Sequence, residues 1–193
     1  SCEEQWQEMK NTIKENNDEI EKLTREDKLY KFSNTITKLK NQFDILGNKI
    51  DIIDVKLENS NGVDTIKLTE EKLKLMNEQL SKQMDLMTNM KNKIPTYQES
   101  LSKYGFTFDV EGNVSNIDEV LNSFQNSEDL EKVNDLLEEY TSLINDDLAD
   151  AEKNYADLQK GIVDLQKDKL NKVKDIEDKI TDVIKDEIDK RKD

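Results

Sequence analysis

The feature that most constrains the fold is a heptad spacing of apolar residues that persists through much of the chain. From Phe32 to Leu57 the apolar positions are separated alternately by four and three residues, and a second series repeats every seven residues from Ile66 to Leu101. This spacing places the apolar side chains on one face of a helix, in the a and d positions of a coiled coil. The predicted seam positions are Ile36, Phe43, Ile50, Leu57, Ile66, Leu73, Leu80, Met87, Ile94 and Leu101.

Composition favours long helices over sheets. Of the 193 residues, 38% are charged and 34% are apolar, whereas an average globular domain is about 25% charged and about 45–50% apolar. The 5 Gly and 1 Pro are too few turn formers for a many-stranded sandwich or barrel. The predicted fold is therefore mainly α: an elongated antiparallel helical coiled-coil bundle with one small β-hairpin at a helix–helix junction.

Turn-forming residues divide the predicted bundle into segments. Residues 1–62 form the first coiled-coil helix and its turn, in which Gly62 occupies a plausible left-handed position. Residues 63–103 form the second coiled-coil helix. We expect a kink or a split near Pro95, because proline removes a helical hydrogen bond.

Upstream of Phe32 the first seam is weaker. Asn16 and Asp27 fall on it and interrupt its apolar character. The side chains expected to continue the seam are Trp6, Met9, Ile13, Ile20 and Leu23.

Residues 104–116 are predicted to form the β-hairpin. Phe106 and Phe108 alternate with polar residues, the turn is centred on Gly112, and Val114 opens the return strand. Because two strands alone are marginally stable, the apolar side chains of the hairpin should pack on the flanking helices.

Residues 117–193 are predicted to form a long, acidic third helix. Asn116 is its expected N-cap, with Glu119 at capping-box spacing, and Ser127 is a second candidate cap where the helix breaks or bends. Near Ile144 two successive steps of four residues form a stutter, which shifts the seam locally.

Several functional classes are excluded by residue content. The chain has no His and one Cys, Cys2, so it has no His-based triad, no His-ligated metal and no internal disulfide. A net charge of -15 disfavours nonspecific binding to nucleic acid. No apolar run is long enough for a membrane span. We therefore expect a protein that is not an enzyme, with no catalytic, cofactor-binding or metal-binding residues.

The acidic cluster around Gly112 invites comparison with a calcium loop. Asp109, Glu111, Asn113 and Asp118 supply oxygen atoms, but an EF-hand needs Gly at the sixth position and Gly112 stands at the fourth. The cluster is better explained as turn chemistry followed by a helix cap.

A specific motif lies between the second and third helices. Its residues are Tyr104, Gly105, Phe106, Phe108, Asp109, Gly112, Ser115 and Asn116. It resembles the Tyr-Gly-x-x-Phe-Asp-x-x-Gly-x-x-Ser-Asn element of the tape measure proteins of long-tailed bacteriophages. The order of segments around it, from Trp6 to about Leu165, is similar to that family as well. Ile117 stands where the family commonly has Tyr, and Val114 where it commonly has Ile.

The resemblance implies a structural role. Such proteins act as helical rulers in the tail-tube lumen, set tail length during assembly and are released at genome ejection. The implied locations are the virion and, during assembly, the host cytoplasm. The implied partners are other copies of the chain or its own helices through the heptad seams, with tail-tube and baseplate proteins. An alternative function is a coiled-coil adaptor or stalk, such as a bacterial surface lipoprotein anchored through Cys2 at the cell surface.

Overall fold

The computed structural model describes residues 1–192, and this part of the chain is mainly helical, which confirms the predicted class. Its elements follow from the heptad spacing and from the scarcity of helix breakers. In chain order they are α1 (Cys2–Glu58), α2 (Gly62–Ser102), α3 (Ile117–Ser123), α4 (Ser127–Ser142), a π-helical turn (Leu143–Asp147) and α5 (Leu148–Lys192).

The predicted β-hairpin is wrong. The described residues contain no strand, and the 104–116 segment has one isolated antiparallel bridge, between Phe108 and Val114. A ladder does not extend because the N–H of Thr107 donates to the side-chain Oδ1 of Asn116, at 2.9 Å, instead of to a main-chain carbonyl. The segment is a loop closed by side chains.

The turn between α1 and α2 follows the prediction, because Gly62 has a φ of 58°, in the left-handed region. α2 then runs through Pro95 as a single helix, so the helix is not split there. The loss of one hydrogen bond is tolerated inside a helix of 41 residues.

The third predicted helix is three helices and a π-helical turn. α3 and α4 are separate, and α4 is capped by Asn126, whose side chain accepts from the N–H of Glu128; Ser127 is not the cap. The π-helical turn Leu143–Asp147 includes Ile144, where the sequence shows the stutter in the spacing of apolar residues. A π-turn inserts one residue into the helix, which realigns the apolar face after a stutter.

The chain divides into two compact units. The first comprises Ser1–Lys38 and Leu86–Asp150, and the second comprises Leu39–Asp85 and the chain from Ala151 onward. Buried apolar residues of the first unit come from α1, α2, α3, α4 and the loop; the largest fully buried side chains among them are Tyr140, Leu101 and Val133.

Within the second unit, polar contacts accompany the apolar core. Lys72 Nζ lies 2.7 Å from Asp54 Oδ1, and Gln79 Nε2 donates to the carbonyl of Phe43 at 3.3 Å. α2 also contacts α5: Gln83 Nε2 donates to the carbonyl of Ala151 at 3.0 Å, and Lys169 pairs with Glu70 at 3.1 Å.

The ten predicted seam positions lie on the inner faces of α1 and α2. Ile36, Ile50, Leu73, Met87 and Leu101 are buried. The other five are half-buried: Phe43, Leu57, Ile66, Leu80 and Ile94.

The weaker upstream seam does not pack within the chain. Its apolar side chains from Trp6 to Leu23 are 55–62% exposed. The half-buried residues of this part of α1 are instead Asp18, Glu21 and Arg25. The upstream apolar residues are therefore not part of a seam within this chain, and the half-buried residues of this part of α1 are charged.

Candidate functional site

The motif residues lie in the loop between α2 and α3, residues 103–116, called the 103–116 loop below. The chain leaves α2 through a tight turn in which the N–H groups of Tyr104 and Phe106 donate to the carbonyl of Leu101, at 3.0 and 3.4 Å. Gly105 completes this turn with a φ of 97°. The turn directs the ring of Phe106 inward, where it is 3% exposed.

Asn116 joins the two ends of the loop. Its Oδ1 accepts from the N–H of Thr107 and its Nδ2 donates to the carbonyl of Gly105, both at 2.9 Å. The N–H of Ser115 donates to the carbonyl of Thr107 at 2.9 Å. Asn116 is the N-cap residue of α3, as predicted, but its side chain makes no cap hydrogen bond to that helix. It closes the loop instead.

Asp109 shapes the tip of the loop. Its Oδ1 accepts from the N–H groups of Glu111 and Asn113, each at 2.9 Å, and its carbonyl accepts from Gly112 at 3.1 Å. This Asx-type turn uses the carboxylate for backbone hydrogen bonds. Val110, at the tip, is fully exposed.

Tyr140 of α4 anchors the tip to the helices. Its hydroxyl donates to the carbonyl of Gly112 and accepts from Gln98 Nε2 at 2.9 Å. Its ring, 1% exposed, meets Phe108 edge-on with centroids 5.5 Å apart, and Tyr97 at 6.0 Å. Burial raises the pKa of the Tyr140 hydroxyl, so this hydroxyl stays a hydrogen-bond donor through the neutral pH range.

The structure thus brings the predicted motif residues together in one loop. Tyr104 stacks at a tilt on Phe124 of the segment after α3, with centroids 6.0 Å apart. Phe106 is buried and Phe108 is half-buried, while Asp109 and Gly105 are exposed and serve the two turns. Sequence reasoning missed these hydrogen bonds because their partners are far apart in the chain. Tyr140 is 28 residues from Gly112, and Gln98 is 42 residues from Tyr140.

Gly105 and Gly112 provide a matched test of the hydrogen bond by which Tyr140 anchors the loop tip. Both have positive φ, but a Cβ on Gly112 would lie 3.2 Å from Tyr140 Oη, whereas one on Gly105 would meet nothing closer than Val120 at 3.9 Å. We expect Gly105→Ala to cost about 1–2 kcal/mol from backbone strain alone. Gly112→Ala should cost about 2–3 kcal/mol, because it also displaces the hydroxyl. Equal losses in urea unfolding would contradict the Tyr140 anchor.

Tyr97 makes stability depend on pH at the alkaline end. Burial, followed by the nearby Glu139 carboxylate, raises its pKa to about 12 from the ordinary value of 10.0. A folded-state pKa above the unfolded one means that the stabilisation is complete below pH 10 and is lost as pH rises toward about 12. In Tyr97→Phe, the decline of unfolding free energy above pH 10 should be shallower, and the last step of tyrosinate absorbance should disappear. A loss of tyrosinate absorbance near pH 10, rather than at the last step, would show that Tyr97 ionises like an exposed tyrosine.

A charged cleft of about 320 Å³ also lies in the first unit, between α1, Tyr104 and α4. Seven carboxylates and three cationic groups line it, among them Glu21, Arg25 and Glu139. Burial, together with Asp18 and Glu21, raises the pKa of the Tyr104 hydroxyl. Sequence reasoning had no signal for this cleft, because its walls come from separate segments.

Ion pairs surround this cleft and the neighbouring face of α1. Lys14 Nζ lies 3.2 Å from Asp129 Oδ2, and the hydrogen bond to Asp129 raises the pKa of Lys14. Lys103 pairs with Glu21 at 3.3 Å. Such solvent-exposed pairs orient helices but contribute little stability.

In residues 1–192, no cluster of three or more acidic or Cys side chains is arranged to hold a metal ion. Within the same range, none of the helices has an apolar stretch sufficient to cross a membrane.

No protein-family model, curated protein or solved structure matches this chain. The features of the chain that bear on its function are the 103–116 loop and the helices that hold it.

Proposed function

We propose that this chain is a structural, non-enzymatic segment of a tape measure protein of a long-tailed bacteriophage. In this role it is part of a helical ruler in the tail-tube lumen, which sets tail length during assembly and leaves at genome ejection. The role requires no substrate or cofactor.

The observation that carries the proposal is the construction of the 103–116 loop. The motif residues shared with the family contribute to this loop in different ways. Gly105 and Gly112 adopt positive φ, Asp109 and Asn116 bind backbone groups, and the ring of Phe108 lies edge-on to Tyr140. A motif that specifies one loop in such detail is a sharper basis for resemblance than heptads, which many unrelated proteins share.

Long continuous helices suit a ruler. α1 has 57 residues, and at about 1.5 Å per residue it rises about 85 Å. A helix converts residue number into length at a constant ratio, so a gene can encode a distance.

The proposal includes an elongated antiparallel arrangement of the helices. Contacts within the second unit support it: Asp54 lies by Lys72, whereas the earlier residue Phe43 lies by the later residue Gln79. In solution scattering we expect a radius of gyration well above about 16 Å, the value for a compact domain of this length. A value near 16 Å would contradict this arrangement.

The ruler function is tested by changing the length of the gene in the phage. Heptads are added in register to three facing stretches of the second unit, within residues 46–52, 73–79 and 159–165. Tails should lengthen by about 10 Å for each heptad added to all three stretches, which is seven residues at about 1.5 Å. Electron microscopy of purified virions measures the slope over a series.

The matched control replaces the same heptads with other heptads of equal length, which should leave tail length unchanged. Tails that keep their length throughout the series would refute the ruler. Detection of this protein in bacterial membranes by mass spectrometry, with a lipid attached to Cys2, would support the surface stalk instead.

A further inference from the structure

The amino-terminal part of α1 has an apolar face that its own chain leaves uncovered. This face, called the α1 stripe below, consists of Trp6, Met9, Ile13, Ile20 and Leu23, which are 55–62% exposed. The spacing assigns residues 6, 13 and 20 to heptad position a, and residues 9, 16 and 23 to position d. Such a spacing is typical of a helix face that packs on a partner helix.

The rest of the unit contacts the opposite side of α1. Lys14, Glu21 and Lys28 occupy heptad position b, and they pair with Asp129, Lys103 and Glu99 at 3.2, 3.3 and 4.0 Å respectively.

Asp18 and Arg25, at position f, are half-buried. Positions b and f therefore form the side of α1 that contacts its own unit. The α1 stripe, at positions a and d, lies on the other side and faces away from that unit.

We propose that a second copy of this chain covers the α1 stripe, in a parallel, in-register, two-stranded coiled coil. The residue types favour this partner. Ile13 and Ile20 place β-branched side chains at position a, and Leu23 places a γ-branched side chain at position d, the combination that favours parallel dimers.

Asn16 sets the direction and register. In a parallel, in-register pair it faces Asn16 of the other copy, and the two amides satisfy each other by hydrogen bonding. In the antiparallel pair that aligns Trp6 with Leu23, Asn16 faces Ile13 and its amide is buried without a partner, which is costly.

The flanking positions permit two copies of a chain with net charge -15 to approach. Four of the six e and g residues beside the α1 stripe are uncharged, in a chain that is 38% charged. The parallel pairs of g with e of the other copy are Gln5 with Lys10, Thr12 with Asn17 and Glu19 with Thr24. None of these pairs joins like charges, so the seam adds no local repulsion.

This inference is independent of the ruler proposal, because it rests on α1 alone. It is tested by sedimentation equilibrium of the full chain. The stripe variant Ile13→Glu/Ile20→Glu should lose the dimer, since two carboxylates would be buried in the seam. The control variant Ile45→Glu/Ile52→Glu changes two residues of α1 that are equally exposed, at 55% and 57%, and should remain dimeric.

Salt provides a second readout. Raising ionic strength screens the repulsion between two acidic copies, so the dimer should become tighter. A wild-type chain that stays monomeric at high concentration and high salt would overturn the proposal. So would a control variant that dissociates as much as the stripe variant does.

Cys2 reports orientation. It lies seven residues before Met9, at position d, and it is exposed. Parallel, in-register pairing places the two Cys2 thiols opposite each other, whereas the antiparallel pair separates them by roughly 37 Å. Mild oxidation should therefore yield a disulfide-linked dimer for the wild type and not for the stripe variant. A dimer that resists cross-linking would overturn the parallel orientation.

Discussion

Replacing Tyr140 with Ala should lower the free energy of unfolding by about 3–5 kcal/mol, the usual cost of deleting a buried aromatic side chain. The ring is 1% exposed and lies between Phe108 and Tyr97. Its removal leaves a cavity and withdraws the group that ties the loop tip to α4. Urea unfolding followed by circular dichroism measures the loss.

Tyr140→Phe separates the hydroxyl from the ring. The phenylalanine keeps the packing but leaves the Gly112 carbonyl and the Gln98 amide without this partner, so we expect a loss of about 1–3 kcal/mol. Tyr30→Ala is the matched control, because Tyr30 is 67% exposed and its truncation should change stability by less than about 0.5 kcal/mol. A Tyr140→Ala loss no greater than that of the control would show that the loop does not depend on this anchor.

Phe106→Ala should cost about 3–5 kcal/mol, and Phe108→Ala clearly less, about 1–3 kcal/mol. Phe106 is 3% exposed, whereas Phe108 is half-buried and is held by its edge contact with Tyr140. The two residues belong to one loop and are two positions apart, so each variant controls for the other.

The Phe108 contact can be isolated by combining variants. Because Phe108 touches Tyr140, the loss in Phe108→Ala/Tyr140→Ala should be smaller than the sum of the two single losses. Phe106→Ala and Tyr140→Ala should be closer to additive. A larger loss for Phe108→Ala than for Phe106→Ala would reverse the ranking of the two rings and contradict this packing.

The 103–116 loop shows why a strand-like pattern in a helical protein need not form a strand. The alternation of Phe106 and Phe108 with polar residues is typical of a strand, and it predicted a hairpin that does not form. Glycines at positive φ turn the chain out of the extended conformation, and side chains that bind backbone atoms compete with a ladder for the same hydrogen bonds. Here Asn116 and Asp109 take those bonds, and only the Phe108–Val114 bridge remains.

The sequence by itself determined the helical class and the residues that share a helix face, because heptad spacing and scarce helix breakers act locally. It also determined the turn at Gly62, where a left-handed φ favours glycine. Tertiary structure decided what each face meets. Trp6 and Ile36 follow similar spacings on one helix, yet Trp6 is 57% exposed and Ile36 is 6% exposed. The bond from Tyr140 to Gly112 likewise exists only because folding brings together residues 28 positions apart. Periodicity specifies an apolar face, but the surface that covers it depends on long-range packing, which no local pattern encodes.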